Sequence, residues 1–238
     1  MTDATLERAK PIREKFDNGY LGEGHTVWSW LTTTDHKRIA ILYAVTITVF
    51  FFIGGAAIAI ARLELITPAQ DLVTADTYDR LFSIHGIIMV WFFLVPSIPT
   101  TFGNFLLPLM IGAPDLAFPK INLLSWYLTI LGGAFVIYML LAGGVDTGWT
   151  FYVPFSTNYS NSNVVPALIA VFIAGFGTIA TGLNLIVTTH TMRAPGMRWF
   201  RLPLFVWSMY TVALVIVLAT PVLAMSLFLV LAERVFHL

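Results

Sequence analysis

Five long stretches without Asp, Glu, Lys or Arg decide what this chain can fold into. They run Ile39 to Ala61, Leu81 to Pro114, Ile121 to Val145, Val164 to Thr189 and Leu202 to Ala232. Each exceeds the roughly 20 apolar residues that carry a helix across a hydrocarbon core of about 30 Å. Charged residues make up 11% of the 238, against about 25% in soluble domains. There are too few charges to cover the exterior of a water-soluble globule of this size. Thirteen basic residues balance thirteen acidic ones, so the chain has no electrostatic footprint for nucleic acid. It has no cysteine, which removes disulfides, thiolate zinc sites, iron–sulfur clusters and cysteine nucleophiles together. The reading is an all-α integral membrane protein with five transmembrane helices.

The second stretch is over-long, and Pro96 and Pro99 lie inside it. Proline removes a helical hydrogen bond, so one kinked helix is expected in preference to a hairpin of two. Orientation follows the basic residues: ten of the thirteen precede the first span or lie between the second and third, or fourth and fifth. Only Arg62, Arg80 and Arg234 lie on the other side. The positive-inside bias puts the N-terminus in the cytoplasm. Residues 1–35 read as a cytoplasmic arm, without the apolar segment of a signal peptide, and residues 36–238 as the membrane domain. Val145 to Asn163 reads as an outer lid, and the glycine pairs Gly54-Gly55 and Gly132-Gly133 as close helix contacts.

Three groups of residues carry chemistry. His85 lies near the outer end of the second span, where an imidazole in hydrocarbon must be paired or coordinated. It reads either as an axial ligand of a haem, with Gly86 giving a flat macrocycle room to approach, or as a histidine hydrogen-bonded to a neighbouring helix. No other histidine lies at a matching depth: His25 and His36 precede the first span, with His36 reading as part of a helix start capped by Asp35. The second group is Asp115 at the cytoplasmic surface, with Asn104, Asn122 and Ser125 near it in sequence. The third is Thr178, Thr181, Asn184 and Thr188, whose spacing of three, three and four puts them on one helix face, with Tyr43 at similar depth on the first span. Such a stripe orders a water chain fed by Asp115, or simply bonds across helices. Arg62 and Glu64 flank the outer end of the first span, where a snorkelling arginine is ordinary. Trp149 and Tyr152 read as interfacial aromatics.

These segments together resemble subunit I of the haem–copper oxidases, of the cytochrome c oxidase type. The matching pieces are Thr34-Asp35-His36-Lys37, Arg62-Leu63-Glu64-Leu65, His85-Gly86-Ile87-Ile88-Met89, the run Pro108 to Lys120 through Asp115, Thr147-Gly148-Trp149-Thr150, Met192 to Met197, and Pro203 to Ser208. The resemblance implies that His85 is an axial ligand of a low-spin haem, of type A, and that Arg62 bonds its formyl group. It implies that Trp149 and Tyr152 lie near the haem propionates, and that Glu64 helps bind calcium or sodium. Asp115 matches the mouth of a proton pathway lined by Asn104, Asn122, Ser125, Tyr43 and Asn184. Thr178 stands where a serine is usual, and Gly177 replaces another. The five spans match the first five of about twelve. Ligands of the oxygen-reducing haem and copper, and the second ligand of the His85 haem, are therefore expected outside the matched helices, and this chain alone is not expected to reduce oxygen. The implied partners are the remaining helices of subunit I, oxidase subunits II and III, cytochrome c and the lipid bilayer. The implied location is an energy-transducing membrane, a bacterial plasma membrane. A quinol oxidase is the rival enzyme reading; positions where quinol-using members carry Arg, Asp and His are here Ile53, Ala57 and Thr77. A membrane scaffold without cofactors is the rival outside enzymes.

Overall fold

A computed structural model describes residues 20, 26–68 and 72–237. Most of the arm expected over 1–35, His25 included, lies outside the described residues. Its described part holds a short helix, α1 (Val27–Leu31), whose Thr26 cap accepts the Ser29 N–H. Five helices long and apolar enough to cross a membrane follow: α2 (His36–Glu64), α3 (Ala75–Ile111), α4 (Pro119–Leu141), α5 (Val164–Thr191) and α6 (Leu204–Phe236). Among the described residues there is no strand. The fold is all-α and multi-pass.

Capping chemistry, rather than hydropathy, sets where these helices begin and end. The carboxylate of Asp35 accepts from the N–H groups of Lys37 and Arg38 at 2.9 and 3.0 Å. This starts α2 three residues before the apolar run. Thr74 caps α3, which therefore begins at Ala75 rather than Leu81 and carries an Arg80–Asp76 ion pair of 2.7 Å in its first turns. Its other end is Ile111, not Pro114, because Gly112 turns left-handed at φ 76°. The Ala113 N–H then reaches back to the Pro108 carbonyl at 2.8 Å, closing a glycine-terminated helix end. Gly143 and Gly144, at φ 100° and 79°, end α4 at Leu141 in the same way.

The prolines do not divide α3. The helix continues through them by widening to π-helical turns over Ile88–Leu94 and Ser97–Gly103. Carbonyls in this stretch take hydroxyl donors instead: Thr100 bonds the Pro96 oxygen at 2.6 Å and Ser97 the Leu94 oxygen at 3.0 Å. That is how a proline-bearing span keeps its backbone satisfied in lipid.

The core lies between α2, α3, α4 and α5, around Phe50, Ile87, Phe92, Val136, Met139 and Leu168. A second cluster, Leu107, Ile111, Leu185, Val206 and Met209, closes the end of the bundle near Asp115. Gly132 lets α4 and α5 touch, since a Cβ there would stand 2.7 Å from the Ala170 oxygen. The helix α6 packs mainly on α5 and leaves Leu218, Val222 and Leu229 exposed along its outer side.

Candidate functional site: buried polar groups and a half-buried imidazole

The loop of residues 112–118 joins α3 to α4 and carries Asp115. Its shape is fixed by α5. Asn184 accepts the Phe118 N–H through Oδ1 at 2.9 Å and donates Nδ2–H to the Phe118 oxygen at 3.0 Å. Thr188 accepts the Ala117 N–H at 2.9 Å. Both ends of the Asn184 carboxamide are therefore committed to the loop backbone, so this residue acts as a clamp rather than an open lining group. The polar face expected on α5 is buried along its whole length: Thr178, Thr181, Asn184 and Thr188 are all core residues.

Asp115 is half-buried, and its Oδ1 accepts the Leu116 N–H at 2.6 Å. It makes no ion pair with Lys120. Burial pushes its carboxyl above the ordinary 3.8; the Leu116 N–H, His36 and Lys37 work against that push and Asp35 works with it.

His36 is the residue that sequence reasoning placed too superficially. It is 1% exposed, and its Nδ1–H donates to the Asn104 carbonyl at 2.7 Å. Two turns further along the same face of α2, Tyr43 is fully buried and lies 2.8 Å from Ser125 Oγ. The Ser125 hydroxyl donates to the Asn122 carbonyl at 2.6 Å, so Tyr43 donates to Ser125. One face of α2 thus gathers Asn104 of α3 and Asn122 and Ser125 of α4. The signal was legible, because His36, Ile39, Ala40 and Tyr43 follow the i, i+3, i+4, i+7 pattern of a buried face.

The side chains of Asn104 and Asn122 and His36 Nε2 are buried without any hydrogen-bond partner among the described residues. Buried polar groups are almost always satisfied, by water where protein supplies no partner. The arrangement is a set of buried amide and imidazole groups without protein partners among the described residues, on the elements that flank the loop of the half-buried Asp115, and such groups ordinarily take water as partner.

At the other end of α3, the Nδ1–H of His85 donates to the Gly54 carbonyl of α2 at 3.0 Å. That bond fixes the ring and tautomer and leaves Nε2 without a partner among the described residues. The ring is half-buried, with Phe82 exposed one turn before it. An imidazole held this way, beside open apolar surface, fits one axial position of a haem. Gly86 does not supply the space expected of it, because the Trp149 ring occupies that space; a Cβ at Gly86 would stand 2.9 Å from Trp149 Cδ1. Trp149 also lies 6.2 Å from Trp91, ring centre to ring centre. Tyr152 is exposed, as is Arg62 at the same end. Glu64 is buried, and its Oε2 accepts from Leu72 and Val73 N–H at 2.9 and 2.7 Å, while Oε1 has no partner among the described residues. No cluster of three or more His, Cys, Asp or Glu forms among the described residues.

Fold and site together define a multi-pass membrane protein organised around buried polar groups at the two ends of one long helix. Residues 38–238 match the family described as cytochrome c and quinol oxidase polypeptide I, and the chain belongs to that family. It is 39% identical over 217 residues to cytochrome c oxidase subunit 1 of Thermostichus vulcanus, covering 90% of this chain and 39% of the relative. Against the protein of the same name from Corynebacterium diphtheriae it is 36% identical, covering 95% and 40%. With that of Corynebacterium glutamicum the identity is 34%, covering 91% and 38%. The chain thus spans about two fifths of the length of these curated relatives and corresponds to their N-terminal part.

Proposed function

We propose that this chain is the portion of a proton-translocating cytochrome c oxidase subunit I that holds one side of the low-spin haem and admits protons. The observation that carries this reading is the group of buried, unpartnered polar atoms on Asn104, Asn122 and His36, on the elements flanking the Asp115 loop. It lies at one end of the helix whose other end presents His85. His85 Nε2 would ligate the haem iron, with Gly54 orienting the ring, and Arg62, Trp149 and Tyr152 would border the macrocycle. When bound, the haem supplies one-electron transfer at a potential tuned by its axial ligands. The residues at the opposite end would take up protons at Asp115 and pass them to water held by Asn104 and Asn122, with Tyr43 and Ser125 continuing the line inward and Thr178 further along α5. Asn184 would keep the entrance loop in register. Glu64 offers a cation one free oxygen, Oε1.

The oxygen-reducing haem, the copper and the second axial ligand would come from further helices of subunit I, with subunits II and III and cytochrome c completing the electron path. Asp115 would face the cytoplasm of a bacterial plasma membrane. A quinol donor is less well supported, because Ala57 is packed in the core and Ile53 packs against it, leaving no polar group there to bind a quinol head.

The test is Asp115→Asn in the assembled oxidase, with oxygen uptake and external acidification measured. Retained haem spectra with turnover reduced by about 10²-fold, the scale of a lost proton-transfer group, are expected, with acidification lost. Normal turnover and acidification would overturn the proton-entrance reading.

A further inference from the structure

The polar face of α5 has an end. From the Asp115 loop it runs through Thr188, Asn184 and Thr181 to Thr178, and the residues beyond on that side are Ala174, Gly175 and Val171. At that end lies a small cavity between α3, α5 and α6, lined by Trp91, Val95, Thr178, Thr220 and their apolar neighbours. About 30 Å³ of it is open to the centre of a water-sized sphere. A single water needs at least roughly 10–15 Å³ by that measure, together with two or more polar partners.

The partners are there. Trp91 Nε1 is buried and has no hydrogen-bond acceptor among the described residues, whereas Trp126 donates to Thr46 Oγ1 and Trp207 to the Trp199 oxygen, both at 3.2 Å. Thr178 donates to the Gly175 oxygen at 2.8 Å, which leaves its oxygen lone pairs free to accept. On α6, Ser208, Thr211 and Ser226 each return the hydroxyl to the carbonyl four residues back; Thr220 has no such bond. The side chains of Trp91, Thr178 and Thr220 therefore border one water-sized space.

We propose that Trp91, Thr178 and Thr220 form a water site that ends the hydrated line of this chain. The indole N–H of Trp91 donates to the water, and the water donates to the two threonine oxygens. Trp91 is then a positioning residue: it carries no proton but fixes the orientation of the last water before the helices that lie beyond this chain. The site rests on the proton-conducting reading above for its role, but the water itself does not.

The experiment has two arms, both on the assembled oxidase. A high-resolution structure is expected to show water within hydrogen-bond distance of Trp91 Nε1 and Thr178 Oγ1. A side chain from another helix bonded to Nε1, or an empty cavity, would overturn the site. In the second arm, Trp91→Phe removes the N–H and keeps a ring, and Thr220→Val keeps the shape and removes the hydroxyl. Each is expected to retain the haem spectrum and lower turnover about fivefold, the rate equivalent of one net hydrogen bond. Ultraviolet resonance Raman should show a hydrogen-bonded indole N–H that Trp91→Phe abolishes and that Thr220→Val weakens. Full turnover in both variants, with Asp115→Asn crippled, sinks the role assigned to Trp91 and leaves the proton entrance standing. Full turnover in Asp115→Asn as well sinks the entrance itself.

Discussion

Single residues divide into those that could do chemistry and those that hold such residues in place. Asp115 belongs to the first group, and its environment gives a signed expectation. Because burial raises its carboxyl above 3.8, the native state keeps the proton to higher pH than the unfolded state. Native stability therefore falls as pH rises from the ordinary carboxylate range through the raised value. Asp115→Asn lacks that titration, so its melting temperature should gain on the native chain as pH rises across that window, and the difference should hold constant above it. A difference that is flat with pH, or that shrinks, would place the Asp115 carboxyl at or below its ordinary value. For His85, the proposed axial ligand, substitution by alanine removes the imidazole that would hold the iron. The low-spin haem absorption should be lost while helicity remains, and an unchanged spectrum would rule out ligation. Asn184 belongs to the second group. Alanine there leaves the Phe118 N–H without its partner and its carbonyl with the Asn122 N–H alone, which should cost about 1–2 kcal/mol and expose the loop of residues 112–118 to proteolysis.

Helices show where sequence is legible and where it is not. Each charge-free run overlaps one of the five long apolar helices among the described residues, because lipid leaves no alternative to a helix of that length. Their ends were less legible, since they depend on single capping groups: Asp35 and Thr74 begin helices ahead of the apolar runs, and Gly112 and Gly143 stop them early. Pro96 and Pro99 announced a disturbance in α3 but not its form, since whether a helix kinks or widens depends on hydroxyls such as Thr100 reaching the right carbonyl. Asn184 was picked out as polar and inward-facing, yet its partner is a loop 66 residues away in sequence, which no local pattern specifies. The contact of Gly132 gives a test that separates local preference from packing. Helix propensity alone says that Gly132→Ala stabilises by about 0.8–1 kcal/mol. The Ala170 oxygen 2.7 Å from the added Cβ says the reverse, with overpacking typically costing about 1–3 kcal/mol. A lowered melting temperature is expected, and a raised one would mean that α4 and α5 separate easily.

The molecule as a whole has two chemically distinct ends, and the proposed mechanism needs them on opposite sides of a membrane. Lys37, Arg38, Lys120, Arg193, Arg198 and Arg201 lie in the segments at the Asp115 end, and the energetic preference for keeping basic residues inside would make that end cytoplasmic. The lid at the His85 end is tied to the last helix, where Arg234 donates to the Thr157 and Ser160 carbonyls at 2.6 and 2.7 Å. The loop between α5 and α6, by contrast, sends Phe200 out 99% exposed between Arg198 and Arg201. Because the chain contains no cysteine, one introduced thiol reports on one position in it. Tyr159→Cys, at a site 75% exposed on the lid, should react in intact cells with a maleimide that cannot cross membranes. Phe200→Cys should react only after the membrane is opened. Both residues lie in loops outside the five spans, so their labelling reads sidedness rather than burial in lipid. The reverse pattern would put Asp115 outside, where it could not draw protons from the cytoplasm, and the pumping direction would fail with it. Equal labelling of both from one side would contradict the odd number of spans between neighbouring loops, since only α5 separates residue 159 from residue 200.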